Sequence, residues 1–120
     1  MIKEYKFGLI TIDDKTYTQD IEVRWTDEVL DWQREESHVI DLKDIERAIE
    51  QNPETIIIGI GESGMAQVTE IAQEAIQSKG IKLIIDKTEQ AAKTFNIIKE
   101  DSFEEEGRQE KVIGLFHLTC

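Results

Sequence analysis

The sequence predicts an α/β (α+β) fold: a single three-layer β/β/α domain, residues 1–120, with a mixed, partly parallel central sheet. Segments rich in aromatic and β-branched residues fill the first quarter of the chain, and apolar strands alternate with amphipathic helices after it. The length of 120 residues suits one compact domain and is too short for two ordinary ones. We therefore expect an N-terminal β-hairpin on one face of the central sheet and the helices on the other face.

The first 25 residues predict a β-hairpin. Its two arms, YKFGLITI and TYTQDIEVRW, are rich in strand-forming residues, and the DDK between them is typical of a turn. Along the second arm apolar and polar side chains alternate, which predicts one buried face and one face in water. The apolar set is Ile21, Val23 and Trp25, and the polar set is Asp20, Glu22 and Arg24. A shorter β segment is expected to follow, through VLDWQ and SHVID.

A helix and then a β-α-β-α-β unit are predicted for the rest of the chain. The segment DLKDIERAIEQN has an N-cap in Asp41 and an apolar stripe, and Pro53 ends this helix. The strands TIIIGI, IKLII and KVIGLFHLTC are apolar on both faces, as strands that are covered on both sides require. The stripe of the helix consists of Leu42, Ile45 and Ile49.

Two more helices are expected between these strands. Gly80 ends the second helix in a left-handed turn, and Thr88 caps the third, EQAAKTFNIIK. An acidic connector, EDSFEEEGRQE, then leads to the last strand and is expected to be solvated. The buried face of the second helix is predicted to consist of Val68, Ile71, Ala72, Ala75 and Ile76.

The charge and the cysteine content limit the partners and the compartment. The formal net charge is −12 at pH 7, from 26 acidic and 14 basic residues. Such a surface repels phosphate backbones and anionic lipids, so we expect neither nucleic acid nor a membrane as a partner. The start MIKEYKFGLI lacks the pattern of a secretory signal, and no apolar run has the length of a membrane span. With Cys120 as its single cysteine, the chain is expected to be a soluble cytoplasmic protein.

The stretch TIIIGIGESGMAQ contains the pattern G-x-G-x-x-G between a strand and a helix, as a dinucleotide-binding turn does. Asp86, at the end of the next strand, stands where such a turn places an acid for the ribose hydroxyls. A complete dinucleotide fold needs two such halves, for which this chain is too short, so no cofactor is expected. Two interpretations stay open: a tight turn for close packing of strand and helix, or an anion or small molecule bound at a helix N-terminus. The second would use Gly59, Gly61, Glu62, Ser63 and Gly64.

His117 and Cys120 form the pattern H-x-x-C, which raises zinc binding or a thiol–histidine pair. Three residues apart on one strand, their side chains point to opposite faces, so we do not expect them to converge. His38 would have to come from another part of the fold, and a fourth ligand is not evident. The alternative is a hydrogen-bonded, buried His117 and a terminal thiol at Cys120. These three residues stay candidates, and neither a metal site nor a catalytic set is expected.

Several motifs occur together in one order along nearly the whole chain. They are FGLITIDDKTYTQDIEV, a Trp followed by R..SHVIDLKDI, NPETIIIGIGESG, TEQAAKTFNII and the closing HLTC. As a set they resemble the family of the adipogenesis-associated domain-containing protein, which also includes a mitochondrial complex I assembly factor. The resemblance implies a three-layer β/β/α domain and an assembly or regulatory role, with no established reaction.

The sequence therefore favours a non-enzymatic domain that works through protein contacts, as an assembly or regulatory factor. The lack of a convergent catalytic set and the family resemblance both favour this function over an enzyme. Anion or small-molecule binding at residues 59–64 is the alternative. Neither the protein partner nor the oligomeric state follows from the sequence.

Overall fold

Strands and helices alternate along the chain after a β-rich N-terminal region. The computed structural model describes residues 1–106 and 110–120, except for the side chains of 101–106. These parts of the chain contain ten strands and three helices. In chain order they are β1 (Ile2–Lys6), β2 (Leu9–Ile12), β3 (Lys15–Tyr17), β4 (Ile21–Arg24), β5 (Val29–Asp31), β6 (Val39–Ile40), α1 (Leu42–Glu50), β7 (Thr55–Ile60), β8 (Gln67–Val68), α2 (Glu70–Ser78), β9 (Lys82–Asp86), α3 (Thr88–Glu106) and β10 (Val112–His117).

A five-stranded sheet in the order β5-β4-β10-β7-β9 forms the middle layer. The strands β10, β7 and β9 are parallel, whereas β4 pairs antiparallel with β10, and β5 pairs antiparallel with β4 at the edge. The strands β1, β2 and β3 form a separate antiparallel sheet, and β6 pairs with β8 in a short parallel ladder. The prediction of a mixed, partly parallel central sheet is confirmed.

Both faces of the central sheet are covered. Alternate side chains of β7 and β10 point in opposite directions, so each strand contributes to both covered faces. Ile58 and Leu115 pack with apolar side chains of α1 and α2 on one face. Ile57 and Phe116 pack on the other face with Phe95 of α3 and with side chains of the small N-terminal sheet. The helices are thus divided between the faces, which differs from the expectation that they lie together opposite the N-terminal strands.

The handedness of the crossovers explains this division. In the central sheet β9 lies on one side of β7 and β10 lies on the other. The crossovers β7-α2-β9 and β9-α3-β10 therefore run in opposite directions across the sheet. Because such crossovers are right-handed, opposite directions place α2 and α3 on opposite faces.

The N-terminal region contains more turns than the single one predicted. The DDK turn is confirmed between β2 and β3, where Asp13 adopts a φ of 54°. A second turn at Gly8, with a φ of 75°, divides the first arm into β1 and β2. The second arm is divided as well, since β3 stays in the small sheet while β4 pairs with β10 in the central one. The predicted hairpin is therefore the β2–β3 part of a three-stranded sheet.

Glu22 and Arg24, which the alternation in β4 predicts to lie in water, are buried, with 1% and 9% of their surface exposed. Glu22 lies opposite Leu115 in the register of β4 and β10, and Leu115 packs on the face that α1 covers. The Glu22 carboxylate accepts hydrogen bonds from Arg24 Nε at 2.7 Å and from Arg47 Nε at 3.0 Å. Paired in this way, the charges tolerate burial. The prediction fails because the local pattern does not show that α1 brings Arg47 to this face.

The first helix, α1, begins where the sequence predicts. The Asp41 side chain accepts a hydrogen bond at the helix N-terminus, and Asp44 completes a reciprocal capping box with it. Of the predicted apolar stripe, Ile45 is buried and Ile49 is partly buried. Leu42, at the first helical position, is 36% exposed and does not belong to the buried face.

The second helix, α2, begins later than predicted. Thr69 is its N-cap, and the two residues before this cap form β8 instead of a helical turn. Ile71, at the second helical position, is 63% exposed and not buried as predicted, whereas Ile76 is buried. Gly80 adopts a φ of 76°, which confirms the left-handed end of the helix.

Two further predictions fail at β9 and α3. β9 is an edge strand of the central sheet and is only partly buried: Leu83 and Ile84 pack on opposite faces, but Ile85 is 36% exposed. α3 runs from Thr88 to Glu106, so the first part of the expected acidic connector is helical. Residues 107–109 of that connector lie outside the described part of the chain.

Candidate functional site

The parallel strands β10, β7 and β9 end on the same edge of the central sheet, at His117, Ile60 and Asp86. Open α/β sheets bind ligands at this carboxyl edge, beside neighbouring strands whose following helices lie on opposite faces. The segments 61–66 and 118–120, which follow β7 and β10, are joined here by main-chain hydrogen bonds. This edge is therefore the candidate site.

Gly61 lies where two main chains approach each other too closely for a side chain. Its φ is +99°, and a Cβ there would lie 2.6 Å from the carbonyl oxygen of Cys120 and 2.7 Å from that of Thr119. Next to it, Glu62 N donates to Thr119 O at 2.9 Å and Met65 N donates to Cys120 O at 3.2 Å. The glycine turn is thus attached along residues 119–120.

Gly59 and Gly64 meet different surroundings. A Cβ on Gly59 would lie 2.9 Å from the Thr88 hydroxyl and 3.0 Å from Thr88 Cα, so this glycine permits close packing of β7 against the start of α3. Gly64 adopts a φ of +72°, but its nearest neighbour would be Lys87 at 3.6 Å. Close strand–helix packing, one of the two interpretations of the motif, therefore has a contact that accounts for it.

The helix N-terminus expected at the glycine turn lies elsewhere, because α2 begins at Glu70, beyond the turn and β8. Several N–H groups of the turn already have acceptors within the protein. Gly61 N donates to the Thr88 hydroxyl at 2.8 Å, and Ala66 N donates to Ile60 O at 3.1 Å. The side chains of Glu62 and Ser63 are exposed. Ligand binding at this turn stays a prediction, without the helix dipole that motivated it.

Thr88, predicted as a helix cap, links the ends of two strands. Its hydroxyl donates to His117 O at 2.5 Å and accepts from Gly61 N at 2.8 Å. The Thr88 main-chain N–H also donates to Gly61 O at 3.1 Å. Because Thr88 is fully buried, this one hydroxyl satisfies two polar groups that water does not reach.

Beside this link, a buried ionic network surrounds the imidazole of His117. Asp20 Oδ2 lies 2.7 Å from His117 Nδ1 and also pairs with Arg34 Nη2, while Asp20 Oδ1 accepts from Leu118 N at 2.9 Å. A carboxylate only accepts hydrogen bonds, so the hydrogen bond to Asp20 needs a proton on Nδ1, and Arg34 Nη2 lies 2.8 Å from the same nitrogen. The other ring nitrogen, Nε2, lies 3.4 Å from the hydroxyl of Thr119.

The carboxyl of Asp20 is held in its charged form. Burial alone would raise its pKa, but the hydrogen bonds from His117, from Leu118 N and from Arg34 outweigh burial and lower the pKa below its usual value. The side chain of Asp20 is 18% exposed and that of Arg34 only 4%. The network is therefore a largely buried ion pair with one histidine as its third member.

Arg34 extends this network to the loop that carries His38. Its Nη1 donates to the carbonyl oxygens of Glu36 at 3.0 Å and Ser37 at 2.9 Å. The guanidinium also lies over the ring of Trp32, with its carbon 4.7 Å from the ring centroid. One buried cation thus positions the residues immediately before His38.

His38, which comes from another part of the fold, contacts both Cys120 and His117 and so brings the three candidates together. Cys120 Sγ lies 3.7 Å from His38 Nε2, and the two imidazole rings meet edge to face with centroids 6.2 Å apart. The alternation rule does not apply because β10 ends at His117 and the chain leaves the sheet after it. Among the described residues, no group of three or more His, Cys, Asp and Glu side chains could hold a metal ion.

Tyr5 lies at the same edge, and its pKa is shifted by the charges there. Its hydroxyl donates to Leu118 O at 2.8 Å. Burial raises the pKa of Tyr5 to about 12, with further contributions from the negative charges of Glu62, Glu89 and Asp20. Tyr5, Asp20 and Arg34 are not among the candidate site residues: Asp20 and Arg34 lie within the family motifs, but nothing in those motifs indicates that their side chains meet at His117.

Comparisons with known proteins agree on the fold. A family model described as "Protein of unknown function (DUF498/DUF598)" matches residues 2–115. The chain is similar to a conserved hypothetical protein of Pyrococcus horikoshii, at 22% identity and a TM-score of 0.82 over 100% of this chain and 99% of that one. It is also similar to a protein named MT938, at 26% identity and a TM-score of 0.77 over 100% and 98% of the two chains.

A third similar structure, from Bartonella henselae, is described as an outer membrane protein. Its identity is 20% and its TM-score 0.79, over 99% of this chain and 94% of that one, so the likeness concerns the fold alone. In the present chain, none of the helices within the described residues combines the length and the apolar character needed to cross a bilayer.

Proposed function

The chain belongs to the DUF498/DUF598 family, and we propose that it is a non-enzymatic protein-binding module with an assembly or regulatory role. Its contact surface is the carboxyl edge of the central sheet. We call this surface the edge surface and define it by the exposed side chains of Glu62, Ser63, Met65 and Thr119.

The observation that carries the proposal is the exposure of Met65 on a turn that is held in place. Met65 is 54% exposed, although its own N–H and that of Glu62 are hydrogen-bonded to residues 119–120. An apolar side chain on such a turn can be buried by a partner with little further loss of backbone freedom. Methionine suits this role because its flexible thioether adapts to the shape of the surface that it meets.

The charge around the edge surface indicates the chemistry of the partner. Glu62 and Glu89 both help to raise the pKa of Tyr5, so their negative field reaches this edge. The whole chain carries a formal charge of −12. We therefore propose a protein partner whose surface places basic residues around an apolar side chain, since complementary charge favours encounter and orientation.

The motifs that resemble the adipogenesis-associated family support the same proposal. A relative that acts as an assembly factor works through protein contacts. In the present chain, the edge surface is the surface that we propose for such a contact. We also propose a cytoplasmic location, because the exposed Cys120 is an unpaired thiol, which a reducing compartment preserves.

The proposal is tested with Glu62→Lys and a matched control, Glu46→Lys, which makes the same charge change on the exposed side of α1. A tagged wild-type chain is purified from its native host at low salt, and proteins that co-purify with it in stoichiometric amounts are identified. Each of these proteins is then purified separately, and its affinity for the wild type and for both variants is measured by titration. We expect Glu62→Lys to weaken binding about tenfold or more, Glu46→Lys to leave it nearly unchanged, and added salt to weaken the wild-type complex.

Equal affinity of the two variants for every purified candidate would contradict the proposal, as would the recovery of no stoichiometric protein. A parallel thermal-shift series with inorganic phosphate, nucleotides and organic acids tests the alternative at residues 59–64. Stabilisation by one of these at millimolar concentration, abolished in Gly64→Ala but kept in Gly80→Ala, would replace protein binding by ligand binding at the glycine turn.

A further inference from the structure

We propose that Cys120 and His38 form a reactive thiol–imidazole pair that exchanges with small disulfides. The Sγ of Cys120 and the Nε2 of His38 lie 3.7 Å apart, within the distance at which sulfur and nitrogen share a proton. Both residues are exposed, so a reagent can reach the sulfur. This reaction is separate from the proposed protein binding and uses the side chain of neither Glu62 nor Met65.

The main chain holds the two partners of the pair from opposite sides. Cys120 O accepts a hydrogen bond from Met65 N at 3.2 Å, on the segment that Gly61 allows to approach closely. His38 O accepts from Gln67 N at 2.9 Å, beside the β6–β8 ladder. The sulfur and the imidazole are therefore presented to each other by two anchored segments.

An ionic network lies behind the pair and fixes the surroundings of the imidazole. The ring of His38 packs against that of His117, which is bonded to Asp20 and lies next to Arg34. Arg34 and Asp20 form an ion pair, so this network holds the rings in place without adding a net charge. The geometry that supports the proposal is the imidazole beside the thiol, because an adjacent base can accept the thiol proton as the sulfur attacks.

The proposed reaction begins when the thiol proton of Cys120 passes to His38 Nε2. The thiolate then attacks one sulfur of a disulfide RSSR, so a bond from Cys120 Sγ to that sulfur forms while the original S–S bond breaks. The leaving RS⁻ takes the proton from the His38 imidazolium and departs as RSH. Cys120 is thereby oxidised to a mixed disulfide, and the other half of the reagent is reduced to a thiol.

The test is the rate at which Cys120 reacts with 2,2′-dithiodipyridine, a neutral disulfide, followed by the absorbance of the released thiopyridone at about pH 7. An ordinary thiol has a pKa near 8.5 and is only about 3% ionised there, whereas an ordinary imidazole, with a pKa near 6.5, is mostly neutral and can accept a proton. Help from a base is therefore visible, although a more acidic thiol is also a weaker nucleophile. We expect His38→Gln to react about tenfold more slowly than the wild type. Ser37→Ala, on the same loop, should react at the wild-type rate, and Cys120→Ser should not react.

Each rate is divided by the rate of the same variant unfolded in guanidinium. The ratio removes differences in the intrinsic reactivity of the thiol that do not depend on the folded position of His38. The wild-type ratio of folded to unfolded rates should exceed one by about tenfold, and the ratio for His38→Gln should fall close to one. A second arm with glutathione disulfide should give the mixed disulfide by mass, faster for the wild type than for His38→Gln. Equal ratios for the wild type and His38→Gln would show that Cys120 is an ordinary exposed thiol and would overturn the proposal.

Discussion

Replacing Asp20 by Asn should destabilise the fold more than any ordinary surface substitution. The change keeps the shape of the side chain but removes the charge that faces Arg34, whose side chain is only 4% exposed. It also presents an amide N–H₂ to groups that are themselves donors, Arg34 Nη2 and His117 Nδ1. The amide oxygen can still accept the hydrogen bond from Leu118 N, which Asp20 Oδ1 accepts at 2.9 Å.

The expected magnitude follows from the two interactions that are lost. Hydrogen bonds to charged groups contribute about 1.5–3 kcal/mol each, and breaking a buried ion pair on one side costs about 3–5 kcal/mol. Because the side chain of Asp20 is 18% exposed, water compensates part of the loss, and we expect a decrease of about 3 kcal/mol in the free energy of unfolding at pH 7. Urea unfolding followed by circular dichroism measures this decrease.

The effect of pH on the same pair of proteins gives a second measurement. The pKa of Asp20 is lowered in the folded state, so its contribution to stability is present above the unfolded pKa, about 3.9, and is lost as the pH falls through the lower, folded pKa. The wild type should therefore exceed Asp20→Asn in stability by a constant amount between about pH 5 and pH 7. Below about pH 4 the difference should shrink.

Asp14→Asn is the matched control, since it makes the same chemical change at an exposed position in the turn after β2. Its stability should stay within about 0.5 kcal/mol of the wild type. A decrease of less than about 1 kcal/mol for Asp20→Asn, or a difference that persists undiminished in acid, would refute the assignment of the network as a stabilising ion pair.

Two further substitutions test the contacts of the glycine turn. Gly61→Ala should decrease stability more than Gly64→Ala does. An L-residue at positive φ costs about 1–2 kcal/mol at either position. At Gly61 alone the added Cβ would also lie 2.6 Å from a carbonyl oxygen. Equal losses in urea unfolding would contradict the close approach. Thr88→Val should cost about 1–3 kcal/mol by leaving Gly61 N and His117 O without a partner, whereas Thr88→Ser should retain most of the stability; equal losses for both would show that the methyl group and not the hydroxyl matters.

The strands of the central sheet could be predicted because their signal is local. Residues 55–60 and 112–117 are apolar on both faces, which only a strand covered on both sides requires, and both strands are central in the sheet. The side of the sheet on which α3 packs depends on the order of the strands. That order is a property of the assembled sheet and has no local pattern in the sequence.

The alternation in β4 shows why a correct local rule can give a wrong exposure. Ile21 and Val23 are buried as predicted, and the period of two is real. Glu22 and Arg24 are buried as well, because a second charged residue, Arg47, arrives from α1 to pair with Glu22. A polar side chain marks an exposed face only while no distant partner can satisfy its charge.

The glycine motif predicts a tight turn but does not predict which groups contact that turn. Gly61 and Gly64 both have a positive φ, which glycine adopts readily. The group that Gly61 admits is the main chain of residues 119–120, far away in sequence. A dinucleotide phosphate would need the same close approach to backbone, so the motif alone does not distinguish the protein's own chain from a ligand.

The position of His38 beside Cys120 depends on Arg34, whose role does not follow from any motif. Arg34 bonds the carbonyl oxygen of Ser37, which precedes His38, and with its other terminal nitrogen it pairs with Asp20. Asp20 in turn binds the imidazole of His117, against which the ring of His38 packs. The position of the thiol's imidazole partner and the stability of the strand end therefore depend on the same guanidinium, because a single planar group donates hydrogen bonds in both directions.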